Sequence, residues 1–217
     1  MVDRRYGIGM DVSRPYSAIV PTLEGDVLVV LAMTTLPLNG REVARLVRRG
    51  SQKGVSRALQ RLVTQGLVLR TEGSPAYLHT LNREHIAAPA IELLARMRNE
   101  MLDRLKNKMA GWELAPLHAS MFGSTARGTG DVQSDIDLLI IREEGLGEDS
   151  RIWRDQLDEL AQDIRAWTGN NAGIVELSET DLDQLRHNPP PIFADLEADG
   201  IDLYGVPLRQ ILKGDKQ

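Results

Sequence analysis

Phe122-Gly123-Ser124-Thr125-Ala126-Arg127-Gly128, followed by Ser134-Asp135-Ile136-Asp137-Leu138, is the stretch on which the reading of this chain turns. An apolar residue leads into Gly-Ser, a polar loop follows, and two carboxylates then stand at i and i+2. Alternate side chains of a strand share one face, so Asp135 and Asp137 can reach one ion together while Ile136 and Leu138 turn into a core. Gly123 lets the backbone approach a phosphate closely, and Ser124 offers both its N–H and its hydroxyl. The order suits a site that holds a nucleoside triphosphate on two metal ions.

The rest of the composition narrows the setting. With 217 residues, 42% hydrophobic and 26% charged, the chain has room for one large domain or two small ones. It has no cysteine, which excludes disulfides and thiolate metal sites, and its four histidines are scattered. No apolar run is long enough to span a bilayer, and Met1-Val2-Asp3-Arg4-Arg5 has no apolar run behind it, so a cytoplasmic protein without a signal peptide is expected. Charge is uneven. Residues 1–83 hold 12 Lys/Arg against 6 Asp/Glu and the remainder 14 against 25, a net of +6 and −11. Such a reversal predicts two units with different partners, the basic one suited to nucleic acid.

In the basic part, Val27 to Met33 predicts a buried helix. Asn39 with Glu42 is an N-cap signature for a second helix, and Ser51 caps a third that Gly66 stops. Val55, Ala58, Leu59, Leu62 and Val63 form the buried face of that third helix, and Lys53, Arg57 and Arg61 form a basic stripe. Leu67 to Thr71 and Ala76 to Leu81, joined by Glu72-Gly73-Ser74-Pro75, read as a hairpin. Three helices and a hairpin resemble the winged helix-turn-helix plan. The resemblance implies binding of double-stranded DNA, with Ser51, Gln52 and Lys53 at the base-reading end and Arg57 and Arg61 on phosphates. The competing reading is a solvated basic face on a domain used for dimerisation.

A long helical pattern follows, broken near its start by Pro89, with Ala90, Ile91, Leu94, Met97, Met101, Leu102, Leu105 and Met109 on one stripe. That stripe covers either the sheet of the next domain or a second subunit. Beyond Gly111, strands are expected at Leu117 to Phe122, Ile136 to Ile141, Ala172 to Leu177 and Ile201 to Tyr204. A helix after Ser150 should bury Ile152, Leu157, Leu160, Ala161, Ile164 and Trp167, and Asn188-Pro189-Pro190-Pro191 reads as a rigid linker. The organisation expected is α+β: a winged helix over 1–83, a connector helix over 84–112 and a third segment over 113–217.

Apolar-Gly-Ser, ten residues, Asp-apolar-Asp-apolar, then a strand with apolar-Glu-apolar at Val175-Glu176-Leu177, is similar to the DNA polymerase beta-like nucleotidyltransferases, most of all their minimal prokaryotic type. Gly200-Ile201-Asp202-Leu203-Tyr204-Gly205 resembles the closing strand of that branch. The resemblance implies a mixed sheet with helices on one side. It also implies Mg²⁺-dependent transfer of a nucleoside monophosphate from an NTP, ATP being the expected donor. By the same resemblance, Asp135 and Asp137 bind the metals, Gly123 and Ser124 hold the β- and γ-phosphates, and Arg127 lies near the triphosphate. Glu176 is the expected third carboxylate, completing a two-ion site. The acceptor stays open: a hydroxyl of a toxin-like partner protein, a small molecule or an RNA end. With no acceptor-binding domain after residue 217, a macromolecular acceptor is expected, and a homodimer is compatible with operator binding. The alternative function is a DNA-binding regulator whose nucleotidyltransferase-like part only senses nucleotide or binds a partner.

Overall fold

The computed structural model describes residues 9–74, 76–145, 150–182 and 191–213. The first residues of the chain, Pro75 of the expected hairpin turn and residues 188–190 of the expected linker lie outside that range. The molecule mixes helices with two sheets and divides into two compact units, Pro15–Arg98 and a second made of Met1–Arg14 with Asn99–Gln217.

The smaller unit holds α1 (Leu23–Ala32), β1 (Leu38–Asn39), α2 (Gly40–Val47), α3 (Gln52–Thr64), β2 (Val68–Thr71) and β3 (Leu78–Leu81). Both expected caps form. The Asn39 side chain accepts the Arg41 and Glu42 amides, and the Glu42 carboxylate accepts the Asn39 amide. Ser51 Oγ accepts the Gly54 amide at 3.1 Å. Such caps satisfy N–H groups that the first helical turn leaves open. Val27, Leu31, Val43, Val55, Leu59 and Leu62 fill one core, closed by Val68 and Leu81 of the sheet. The strand order is β1-β3-β2, all antiparallel. The two-residue strand β1 was not foreseen: Leu38-Asn39 follows Pro37, and so short an edge pairing with β3 leaves no period to read.

Helix α4 (Ala88–Ala110) is continuous. Pro89, expected to break it, occupies the first turn, where an absent N–H costs no hydrogen bond. Its N-terminal part contributes Ile91 to the core of the smaller unit. Met101, Leu105 and Met109 belong to the core of the larger one, so the methionine stripe covers that unit's own sheet.

The larger unit is built on β4 (His118–Phe122), β5 (Ile136–Arg142), β6 (Ala172–Ser178) and β7 (Ile201–Gly205), in the order β6-β5-β4-β7. β5 runs parallel to β6 and antiparallel to β4, and β4 is antiparallel to β7. Its helices are α4, α5 (Gly123–Arg127), α6 (Arg151–Thr168), α7 (Pro191–Asp199) and α8 (Leu208–Lys213). They lie on both faces of the sheet, which corrects the one-sided packing expected. Ile136, Leu138 and Ile140 pack with α4 and α6, whereas Leu139 and Ile141 pack with Phe193, Leu196, Leu208 and Ile211. A strand buried on both sides reads as an unbroken apolar run, which is how Ile136 to Ile141 is written. α6 turns Trp153 into the core, fully buried and edge-on to Trp112 with ring centroids 5.5 Å apart. Ile152, expected inside, is 43% exposed, because the buried stripe runs through Trp153, Leu157, Leu160 and Ile164.

The units do not follow the boundaries read from the sequence. Residues 9–14 pack with the larger unit rather than the smaller: the Met10 amide donates to the Thr168 carbonyl at 3.1 Å and to the Asn170 side chain at 3.0 Å. The division between the units falls inside α4, before Asn99.

Candidate active site

The site lies where β4 ends and β5 begins. Phe122 is opposite Asp137 in the antiparallel register, so the turn after β4 comes directly beside the second carboxylate. Gly123 has φ +74°, a left-handed conformation that favours glycine. A Cβ at this position would run into Asp137 Oδ2. Gly123 is therefore required twice, for the turn and for the carboxylate beneath it. α5 then closes a loop on itself: the Ser124 carbonyl accepts the amides of Thr129 and Gly130 at 2.9 and 3.1 Å. Thr125 is buried, and its Oγ1 donates to the Asp135 carbonyl at 3.1 Å. That bond ties the turn to the strand carrying the carboxylates across ten residues of sequence.

Asp137 is half-buried and Asp135 exposed. Burial in the first place, and the Asp135 charge in the second, push the Asp137 carboxyl above the ordinary aspartate range, while Arg127 pulls the other way. A divalent cation would relieve both penalties, and two carboxylates at i and i+2 offer the hard oxygen donors that Mg²⁺ takes. The pair thus fits a cation whose remaining ligands come from substrate phosphates and water. It is not a complete cage: among the described residues, no group of three His, Cys, Asp or Glu side chains gathers to hold a metal.

Glu176 does not join the pair, and this corrects the expected third ligand. In the parallel register Glu176 is opposite Ile140, and Gly173 is the residue opposite Asp137. Ile140 faces α4 and α6, whereas Asp137 shares its face with Leu139 and Ile141. The three-residue offset is about 10 Å along the strand and places Glu176 on the other side of the sheet. There it accepts Trp153 Nε1 at 2.8 Å and pairs with Arg142 at 3.2 Å and Arg154 at 3.3 Å. An apolar-Glu-apolar strand looks the same whether the carboxylate meets a metal or an arginine pair.

Arg127 is at the C-terminal end of α5, with Nη1 3.9 Å from Asp199. Asp131 caps its own loop, accepting the Gln133 amide and the Ser134 hydroxyl. In the smaller unit Ser51, Gln52, Lys53 and Arg57 are exposed on the first two turns of α3. Arg61, expected on phosphate, is bonded to Glu24 of α1.

Gly173 is the residue the sequence reading passed over. A Cβ there would stand 2.8 Å from Asp137 Oδ1, so the two oxygens of Asp137 are each flanked by a glycine, Gly123 and Gly173. A glycine inside a strand often marks a close approach, which was the available signal. Gly173→Ala is expected to displace the Asp137 carboxylate and cut activity roughly ten- to a hundredfold, as loss of a ligand-orienting neighbour does. The melting temperature should move little, which a thermal melt beside the rate measurement checks.

Residues 101–181 match the model of the nucleotidyltransferase domain, a segment that contains the whole run from Gly123 to Asp137. No curated protein matches the sequence. Among solved structures the chain is similar to a toxin-antitoxin crystallised with AMP-PNP, at 18% identity over 50% of this chain and 76% of that one, with a TM-score of 0.34. It is also similar to a protein from Sulfolobus solfataricus described as a candidate nucleotidyltransferase, at 20% identity over 54% and 86%, with a TM-score of 0.27. The glycine-flanked carboxylate site therefore lies inside the segment that matches the nucleotidyltransferase domain.

Proposed function

We propose that the larger unit transfers a nucleoside monophosphate from an Mg²⁺-bound NTP, ATP by preference, to an acceptor hydroxyl. The observation that carries this reading is the seating of Gly123 directly on Asp137, which joins the phosphate-side turn and the carboxylate pair in one site. When bound, Mg²⁺ would neutralise the triphosphate charge and favour both the attacking and the leaving oxygen. Asp135 and Asp137 supply its protein ligands. Gly123 and Ser124 leave room for the phosphate chain, and Arg127 adds positive charge on the same side. The acceptor oxygen forms a bond to the α-phosphorus, the α–β bridging P–O bond breaks, pyrophosphate leaves, and the hydroxyl proton passes to water. Among the described residues no helix is long and apolar enough to cross a membrane.

The test is incubation of the protein with Mg²⁺, α-labelled ATP and cell extract. Label should pass to an acceptor with the wild-type chain and not with Asp135→Ala. Denaturing gels separate a labelled partner protein from labelled RNA, and thin-layer chromatography reveals a small acceptor. Absence of transfer from all four NTPs would remove the reading.

A second reading concerns the smaller unit, which we take as a winged helix that binds double-stranded DNA and gives the transferase a nucleic-acid address. Its support is the capped α3 with exposed Ser51, Gln52, Lys53 and Arg57, followed by the β2–β3 hairpin. The Arg61–Glu24 pair modifies it, leaving Lys53 and Arg57 as the principal phosphate contacts. Replacing both with Ala should reduce the slope of log affinity against log salt by about 2, roughly one per phosphate contact. Arg61→Ala should change it less. A slope unchanged by the double replacement would rule out this face.

A further inference from the structure

Residues 9–13 make a set of contacts that neither the motif nor the proposed reaction uses. Gly9 is packed so tightly that a Cβ would stand 2.5 Å from the Val132 carbonyl oxygen and 2.6 Å from Asn170 Nδ2. The Met10 amide donates to Asn170 Oδ1 at 3.0 Å. Asn170, only 4% exposed, returns its own amide to the Met10 carbonyl at 3.1 Å and to the Ser134 carbonyl at 2.9 Å. Ser13 Oγ accepts the Gly130 amide at 3.0 Å. Asp11, buried, accepts the Ser13 and Arg14 amides and the Arg14 guanidinium, which fixes the turn that presents Ser13.

Apart from those of Asp11, these contacts fall on one loop, residues 128–134, or on the Asn170 turn beside it. That loop joins the Gly123-Ser124 turn to Asp135. Its far end is held residue by residue: the Ser134 carbonyl by Asn170, the Asp135 carbonyl by Thr125, and the Ile136 amide by the Asn171 carbonyl. The backbone around the first carboxylate is therefore fixed on both sides by residues remote in sequence. Asp135 is exposed, so its aim depends on this framework rather than on burial of its own side chain.

We infer that residues 9–13 form a strap over the loop of the active site, with Ser13 and Asn170 as positioning residues for Asp135. The inference rests on the transfer reading for its consequence, though not for its geometry. The strap lies more than a hundred residues before the motif it serves, so the site is complete only when residues 9–13 are docked.

The experiment uses the full chain and three variants. Ser13→Ala removes the acceptor for Gly130. Asn170→Asp keeps an acceptor for the Met10 amide while losing both amide donations. Ser13→Thr keeps the hydroxyl and serves as the rescue control. Two quantities are read: hydrogen exchange at Gly130 and Ile136, and affinity for Mn²⁺ and for a fluorescent ATP analogue with Mg²⁺. Faster exchange together with a roughly tenfold or greater loss of Mn²⁺ and analogue affinity is expected for Ser13→Ala and Asn170→Asp, as for loss of groups that orient metal ligands. Ser13→Thr should behave as wild type. Faster exchange with wild-type affinities would show a strap that only stabilises the fold and would overturn the inference. Unchanged exchange in both variants would overturn it as well. Failure of the wild-type chain to bind either probe would remove the transfer reading instead, and exchange alone would then decide the strap.

Discussion

Asp137→Asn is expected to abolish nucleotide transfer and, at the same time, to raise the melting temperature of the ligand-free protein. The first effect follows, on the proposed reaction, from loss of a ligand to Mg²⁺. Stabilisation by a bound cation is worth several kcal/mol at the transition state, so a loss of about 4 kcal/mol gives roughly a thousandfold fall in rate. The second follows from the direction in which the carboxyl is shifted. Burial and the neighbouring Asp135 hold the folded-state pKa of Asp137 above the ordinary 3.8. Between those two values the folded chain binds more protons than the unfolded one, so stability declines as pH rises through the interval. The deficit persists at neutral pH, and an uncharged amide of the same shape removes it. The gain should be largest without metal at neutral pH and should vanish below pH 3.8. Metal affinity of the wild-type protein should run the opposite way, weakening as pH falls and beginning to do so above the ordinary aspartate range. Thermal melts of both proteins between pH 3 and 8, with and without Mg²⁺, test the pair. A variant that melts lower than wild type at neutral pH without metal would contradict the electrostatic account.

Glu176→Ala should produce the converse. Its carboxylate meets Trp153, Arg142 and Arg154 between α6 and the sheet, with only 16% of the side chain exposed and 12% of Arg142. Removing it leaves a largely buried guanidinium and an indole N–H without that acceptor. Deletion of one partner of a buried ion pair costs about 3–5 kcal/mol, and the exposure of Arg154 places this case near the lower end. At roughly 2–4 °C per kcal/mol for a chain of this size, the transition of the larger unit should fall by about 6–12 °C. Transfer assayed well below that transition should stay within about threefold of wild type, since Glu176 faces away from Asp137. Glu176→Gln, which keeps an acceptor for Trp153, should recover part of the stability. A thousandfold loss of transfer in a well-folded Glu176→Gln would restore this residue to the site.

Much of the plan was legible because it rests on short-range rules. Asn39 with Glu42 and Ser51 with Gly54 are capping contacts within one turn, so spacing alone announces them. The continuous apolar run of Ile136 to Ile141 announces a strand covered on both sides. The short span from Gly123 to Asp137 made the site visible before any contact was known, because a turn and the strand beside it are neighbours both in sequence and in space.

What the sequence could not convey depends on register, helix phase and remote pairing. Glu176 and Gly173 are three residues apart on one strand, and only the parallel pairing of β6 with β5 decides that the glycine faces Asp137 and the glutamate faces Trp153. A strand's period of two makes such assignments all-or-none: an odd offset moves a side chain through the sheet. The same reason separates Ile152 from Trp153, since one step of helical phase exchanges solvent for core. Asn170 and Met10 lie 160 residues apart, and no local pattern links an asparagine after a helix to residues so far before it. By itself, then, the sequence marked out the Gly123–Asp137 run as the candidate site, because its residues lie within fifteen positions of one another. The tertiary structure decided which remote residues complete it, because those meet only through strand register and chain return.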